Sequence, residues 1–315
     1  MLRYDPDIQR LFASSSSDTP QPTAILDVAD WRSSREFFND GIAAGERNHP
    51  RADHIPRLSL VYTTSDGDAR ELRWYRPDEA SSSVILYFHG GGMYHGNLDL
   101  YDGIAARLAD RSGVPVLAVD YRIAPEHPHP VPVRDCYEAL LWLAENATHL
   151  GFDPARIILM GDSAGGGLAA GTALMSRDLG GPIPALQVLI YPMLDDRTDR
   201  TPEALAPLAT WNHEHNLTAW RTLLGDAAGG TEVSPYAAPA RAQNLVGLPD
   251  VYMETGQLDL FAAEILLFAS RLADAGVQLE FHVRPGMPHG FDFAAPDAAM
   301  TMQAVADRVR AIQSV

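Results

Sequence analysis

The chain has 315 residues, 46% of them hydrophobic and 21% charged, enough for a large core in one α/β domain or in two smaller ones. Its formal net charge of −17 argues against nucleic acid, whose binding needs Lys and Arg to neutralise phosphates, and against anionic membrane surfaces. A single cysteine, Cys136, leaves no intramolecular disulfide to form, and within a helical pattern it reads as a small buried hydrophobe.

Met1 to Asp7 lacks the apolar core of a signal peptide, and no window is apolar long enough to span a bilayer. A cytoplasmic protein is the expectation. Residues 1–50 alternate helical patches with Ser/Pro-rich breaks, and Leu26, Val28, Trp31, Phe37 and Phe38 give an apolar stripe that needs something to cover. From Arg57 the pattern turns strand-like: Leu58 to Tyr62, a turn at Asp66-Gly67, then Glu71 to Tyr75, an antiparallel hairpin. Four apolar runs follow at wide spacing with helical patterns between them: Val84–Phe88, Val116–Val119, Ile157–Met160 and Leu186–Ile190. Val251–Glu254 and Leu279–Val283 come late, the latter running into a loop-forming stretch, Arg284 to Pro288. Strands alternating with helices imply a parallel sheet covered on both faces, here of eight strands with the second antiparallel. Between Asp195 and Tyr236 the alternation lapses. An insertion there would lie above the strand ends beside the N-terminal helices. The expected organisation is residues 1–50 as the first part of a helical cap, 51–194 as the first part of the core, 195–235 as the cap insertion and 236–315 as the rest of the core.

The chemistry starts at Gly161-Asp162-Ser163-Ala164-Gly165-Gly166-Gly167, which follows the buried run Ile157–Met160 and precedes small residues able to continue as a helix. Strand, tight turn and helix are the context in which G-x-S-x-G makes a nucleophile elbow. The turn demands small residues two before and two after the serine, and it aims the hydroxyl above the sheet at the positive end of a helix. Ser163 is therefore the candidate nucleophile of an ester hydrolase, with Asp162 as scaffold. His89-Gly90-Gly91-Gly92 follows another buried strand, and glycines let backbone amides approach a ligand closely. The amides of Gly91, Gly92 and Ala164 would supply three donors to an oxyanion, and His89 would orient that loop. A base is needed on a loop past a strand end, where His289 stands. His282 falls inside a strand, His213 and His215 in the insertion, and His127 and His129 among prolines. Asp259 follows the seventh strand and is the favoured acid. Glu254, inside that strand, and Asp292 are its rivals.

These motifs resemble the hormone-sensitive-lipase-like family of α/β-hydrolase carboxylesterases. The resemblance rests on His89 to Gly92 and Gly161 to Gly166. It extends to Asp120-Tyr121-Arg122-Ile123-Ala124-Pro125-Glu126-His127-Pro128, similar to the family's Tyr-Arg-Leu-Ala-Pro-Glu segment, and to Asp259-Leu260 and His289-Gly290-Phe291. It covers roughly residues 55–310. Met93-Tyr94 stands where an aromatic usually comes first, and Leu260 replaces a proline. The family implies the α/β-hydrolase fold under a helical cap, with acyl transfer through Ser163, His289 and Asp259 on short-to-medium acyl esters. Tyr94, Tyr191, Trp211, Leu217 and Trp220 are the expected pocket residues. No cofactor or metal is expected, since no cluster shows ligand spacing; the expected partners are a small-molecule ester and, across an exposed late edge strand, a second copy of the chain. An amidase, lactonase or arylacetamide-type deacetylase would use the same groups. A non-catalytic small-molecule receptor on this scaffold would typically lack the base that His289 supplies.

Overall fold

A computed structural model describes residues 2–14, 30–78 and 81–315. Leu26 and Val28 of the N-terminal stripe lie outside the described residues. Eight strands form one sheet: β1 (Arg57–Thr63), β2 (Ala69–Tyr75), β3 (Val84–Phe88), β4 (Val116–Val119), β5 (Ile157–Asp162), β6 (Leu186–Ile190), β7 (Asp250–Leu258) and β8 (Leu279–Pro288). Their order is β1-β2-β4-β3-β5-β6-β7-β8; β2 pairs antiparallel with both β1 and β4, and every other pairing is parallel.

The central strands are apolar at every position because both faces are covered. On β3, Leu86 and Phe88 pack into one core while Ile85 and Tyr87 pack into a second on the opposite face. The helices are α1 (Pro6–Ser14), α2 (Trp31–Glu46), α3 (Asp102–Ser112), α4 (Val131–Glu145), α5 (Ala147–Leu150), α6 (Ala164–Leu179), α7 (His213–Leu224), α8 (Ala262–Asp274), α9 (Phe291–Ala294) and α10 (Ala299–Gln313). Side chains of α4, α6 and α8 fill the first core, and those of α3 and α10 the second. No described helix is long and apolar enough to cross a membrane.

β8 is longer than expected. Arg284 to Pro288, read as a loop from its proline and glycine, continues the strand, with Arg284 opposite Gly256 and Pro288 opposite Leu258 across an irregularity. As an edge strand it tolerates Pro285 because only one side needs ladder bonds. The Gly286 carbonyl, on the way out of the ladder, accepts from the Asp5 amide at 2.9 Å.

Above the carboxyl ends of the strands, α2 meets the segment 195–235. Phe38 stacks on His95 at 4.9 Å and packs at 5.2 Å on Trp211 and 5.1 Å on His215. Arg35 ties α2 to the loops below, donating to the Tyr94 carbonyl at 2.6 Å, the Ala124 carbonyl at 2.7 Å and the Glu126 carboxylate. The base of the segment is held by Glu264 of α8, which accepts from the Leu194 and Asp195 amides at 2.7 and 3.1 Å and from the Thr198 hydroxyl.

Candidate active site

Strand register puts the site together. β3 is the switch point of the parallel order, with β4 on one side and β5 on the other, where ligands bind in open α/β sheets. Phe88 is opposite Gly161, so the glycine loop leaving β3 lies beside the turn leaving β5. Leu258 is opposite Pro288, so the next residues, Asp259 and His289, emerge side by side.

At the turn after β5, Ser163 has φ 54° and ψ −120°, a left-handed conformation for a residue with a side chain. Such a conformation costs about 1–3 kcal/mol and persists only where its surroundings over-determine it. They do here: the Ser163 amide donates to the Ile190 carbonyl at 2.8 Å, and its carbonyl accepts from Gly167 at 3.1 Å and Met193 at 2.9 Å. The flanking glycines are required by space, because a Cβ on Gly161 would collide with the Gly165 carbonyl, and one on Gly165 with the Phe88 carbonyl.

His289 bridges the other two groups. One ring nitrogen, Nε2, is 2.9 Å from Ser163 Oγ, and the other, Nδ1, is 2.7 Å from Asp259 Oδ2. The Asp259 side chain is fully buried and that of His289 is 11% exposed. Asp259 Oδ1 accepts from the Phe261 amide at 2.9 Å, which fixes the carboxylate's orientation. The imidazole is held edge-on by Tyr191 at 4.8 Å and Phe261 at 5.1 Å, and its carbonyl accepts from the Thr210 hydroxyl at 2.8 Å.

Gly91 and Gly92 line one cavity of about 450 Å³ together with Ser163 and His289. Gly91 has φ 114°, and a Cβ there would strike the His95 carbonyl, so the loop can turn so tightly only with glycine. None of the described turn, loop and cap hydrogen bonds is donated by the Gly91, Gly92 or Ala164 amide. Ala164 is the first residue of α6, buried next to Ser163 and outside the cavity wall.

The alpha/beta hydrolase fold family is matched over residues 85–293. Esterase LipI of Mycobacterium tuberculosis is 36% identical over 279 residues, 85% of each chain. The chain belongs to the hormone-sensitive-lipase-like family of α/β-hydrolases. Ethyl acetate hydrolase of Pseudomonas putida is 32% identical over 302 residues, 92% of each chain. Among solved structures, a bacterial heroin esterase superposes with a TM-score of 0.87 at 35% identity, covering 99% of this chain and 97% of that one.

Within this α/β-hydrolase the rival groups have other partners. Asp292 accepts from the Tyr191 hydroxyl at 2.6 Å and pairs with Arg308 at 2.5 Å. Glu254 is buried in its strand against Arg284, Arg308 and the Tyr252 hydroxyl. His282 pairs with Glu280 on β8, and His213 lies 3.2 Å from the Thr201 hydroxyl. His89 stacks on Tyr121 at 4.4 Å, with Nδ1 2.7 Å from the Gly90 carbonyl. Asp162 lines the cavity, accepting from the Tyr87 hydroxyl at 2.5 Å, and burial raises its pKa to about 6.

Of the expected pocket residues, Tyr191 and Trp211 line the cavity. Tyr94, Leu217 and Trp220 do not. Tyr94 is fully buried with its hydroxyl 2.8 Å from Ser34, which pins α2 to the glycine loop, and Trp220 packs into the core beneath α7. Leu217 is half-buried on α7. Two residues that sequence reasoning missed are Thr210, on the His289 carbonyl, and His95, a buried cavity residue that burial holds neutral with a pKa lowered to about 3.

Proposed function

We propose that this carboxylic ester hydrolase works by two-step acyl transfer on Ser163, with residues 1–50 and 195–235 as a cap over the site. His289 takes the Ser163 proton as Oγ attacks the ester carbonyl. The oxyanion rests on the amides of Gly91, Gly92 and Ala164, and each such donor supplies roughly 3 kcal/mol of transition-state stabilisation. His289 then protonates the leaving alcohol and activates the water that releases the acid. Asp259 holds the tautomer that leaves Nε2 free to accept, and it stabilises the imidazolium.

The observation that carries this reading is the continuous Asp259–His289–Ser163 chain of hydrogen bonds, 2.7 and 2.9 Å, ending on a serine held at φ 54°. Substrates are short-to-medium acyl esters, supported by the largely apolar wall of the cavity and by the similarity to the ethyl acetate hydrolase of Pseudomonas putida. The enzyme is read as cytoplasmic. It is also read as a homodimer across β8, which ends the sheet and carries exposed Val283.

Hydrolysis of p-nitrophenyl esters from two to sixteen carbons, with fluorophosphonate labelling, tests the reading. Ser163→Ala is expected to lose both turnover and label. Retention of more than a few per cent of wild-type turnover would overturn the assignment.

A further inference from the structure

The cavity is longer than the reaction needs. From Ser163 it continues between α3 and α10, on the face of the sheet opposite α6. One stripe of α3, Ile104, Arg107, Leu108 and Arg111, faces it at the i, i+3, i+4, i+7 spacing of a single helix side. The formal charge of this wall reverses that of the molecule. Arg107, Arg111 and Arg308 line it against the carboxylates Asp162 and Asp292, in a chain of net charge −17.

Two of these arginines are already committed. Arg107 forms a two-pronged pair with Glu46 at 3.0 and 2.6 Å, and Arg308 is held by Asp292 and Glu254. The guanidinium of Arg111 makes no ion pair or hydrogen bond among the described residues. Its neighbour Asp110 pairs with His54 at 2.7 Å, and Asp292 is taken by Tyr191 and Arg308. Arg111 is an exposed residue that also forms cavity wall. Burial, with like-charge repulsion from Arg107 and Arg308, lowers its pKa. A cation at the end of α3 suits the helix dipole. On α10, Thr301 is 1% exposed and lines the same cavity, and its hydroxyl has no hydrogen-bond partner among the described residues. A buried hydroxyl left unpaired costs about 1–3 kcal/mol, which a ligand acceptor would recover.

We propose that the cavity between α3 and α10 is a subsite for an ester arm ending in a carboxylate, bound by Arg111 and Thr301. The preferred substrates are then half-esters of dicarboxylic acids or acyl esters of ω-hydroxy acids. The inference rests on acyl transfer at Ser163.

The test compares ω-carboxylate esters with their ω-carboxamide counterparts, chain by chain, with the charge on the acyl arm in mono-p-nitrophenyl esters and on the alcohol arm in acetyl ω-hydroxy acids. At the best-fitting length, wild type is expected to favour the carboxylate about tenfold in kcat/KM, as one charge-assisted contact provides. The ratio should fall close to one in Arg111→Gln, partly return in Arg111→Lys, drop several-fold in Thr301→Val, and shrink with added salt. A carboxylate disfavoured at every length on both arms, or a ratio unmoved in Arg111→Gln, overturns the subsite. Calorimetric binding of the free dicarboxylate reads the subsite without turnover. Hydrolysis of p-nitrophenyl butyrate and fluorophosphonate labelling read the chemistry at Ser163 separately.

Discussion

Asp259 and Asp292 show how neighbours divide roles between two carboxylates thirty-three residues apart in sequence and both close to His289. Asp259 has one oxygen on the His289 ring and the other on a backbone amide. Asp292 has one on the Tyr191 hydroxyl and the other on Arg308. Asp259→Asn is expected to lower kcat by roughly 10⁴, because the amide cannot hold the required imidazole tautomer. Asp292→Asn should instead act on stability: it weakens a buried ionic cluster, where breaking a pair costs up to about 3–5 kcal/mol. Paired kcat and Tm measurements on the two variants check this. A kcat loss confined to Asp292→Asn would reassign the acid. In sequence the two aspartates differ only in which strand end they follow, and that was enough to favour Asp259. His95 and Thr210 carried no such mark, because each reaches the site only through tertiary packing.

Among elements, the sheet was the most legible part. β3 to β6 read as apolar runs because both faces are buried, and their spacing implied the helices between. β8 was under-read at its end because Pro285 and Gly286 look like breakers until the edge position is known. The aromatic residues of the segment 195–235 were the least legible. Trp211 lines the cavity while Trp220, nine residues on, is core, and both are buried, so composition cannot tell them apart. The segment 195–235 also touches the candidate site. The Thr210 hydroxyl holds the backbone of His289 from above, so this histidine is seated by an element outside the sheet. Thr210→Val removes one hydrogen bond of about 1 kcal/mol, and kcat should fall about fivefold with little change in KM. A rise in KM with kcat unchanged would show that Thr210 serves substrate binding alone.

For the molecule as a whole, buried titratable groups set opposing pH limits. Burial lowers the pKa of His95 to about 3 and those of His89 and His215 to about 4, from an ordinary 6.5. Below 6.5 the unfolded chain takes up protons that these folded histidines refuse, so stability falls as pH drops through this window and levels off near their folded values. Burial raises Glu264 to about 8 and Asp162 to about 6, from 4.5 and 3.8. The folded state keeps those protons after the unfolded chain has lost them, so stability declines as pH rises, for Asp162 up to about 6 and for Glu264 up to about 8. Among these groups the three histidines outweigh the two acids on the acid side, and well above 6.5 only Glu264 still changes. The Tm maximum is expected at about pH 6–7. Glu264→Gln should flatten the alkaline limb, and calorimetry from pH 4.5 to 9 checks both. A Tm that climbs steadily to pH 9 contradicts this balance.

The backbone at Ser163 has a consequence for how such a protein can be improved. A glycine accepts φ 54° without the penalty a side chain incurs there, so Ser163→Gly is expected to melt higher than Ser163→Ala, with both inactive. Directed evolution scored only on folding, expression or heat resistance would be drawn to replace the proposed nucleophile. A stabilising library for this chain needs an activity screen in every round, because at position 163 thermal selection and catalysis reward different amino acids.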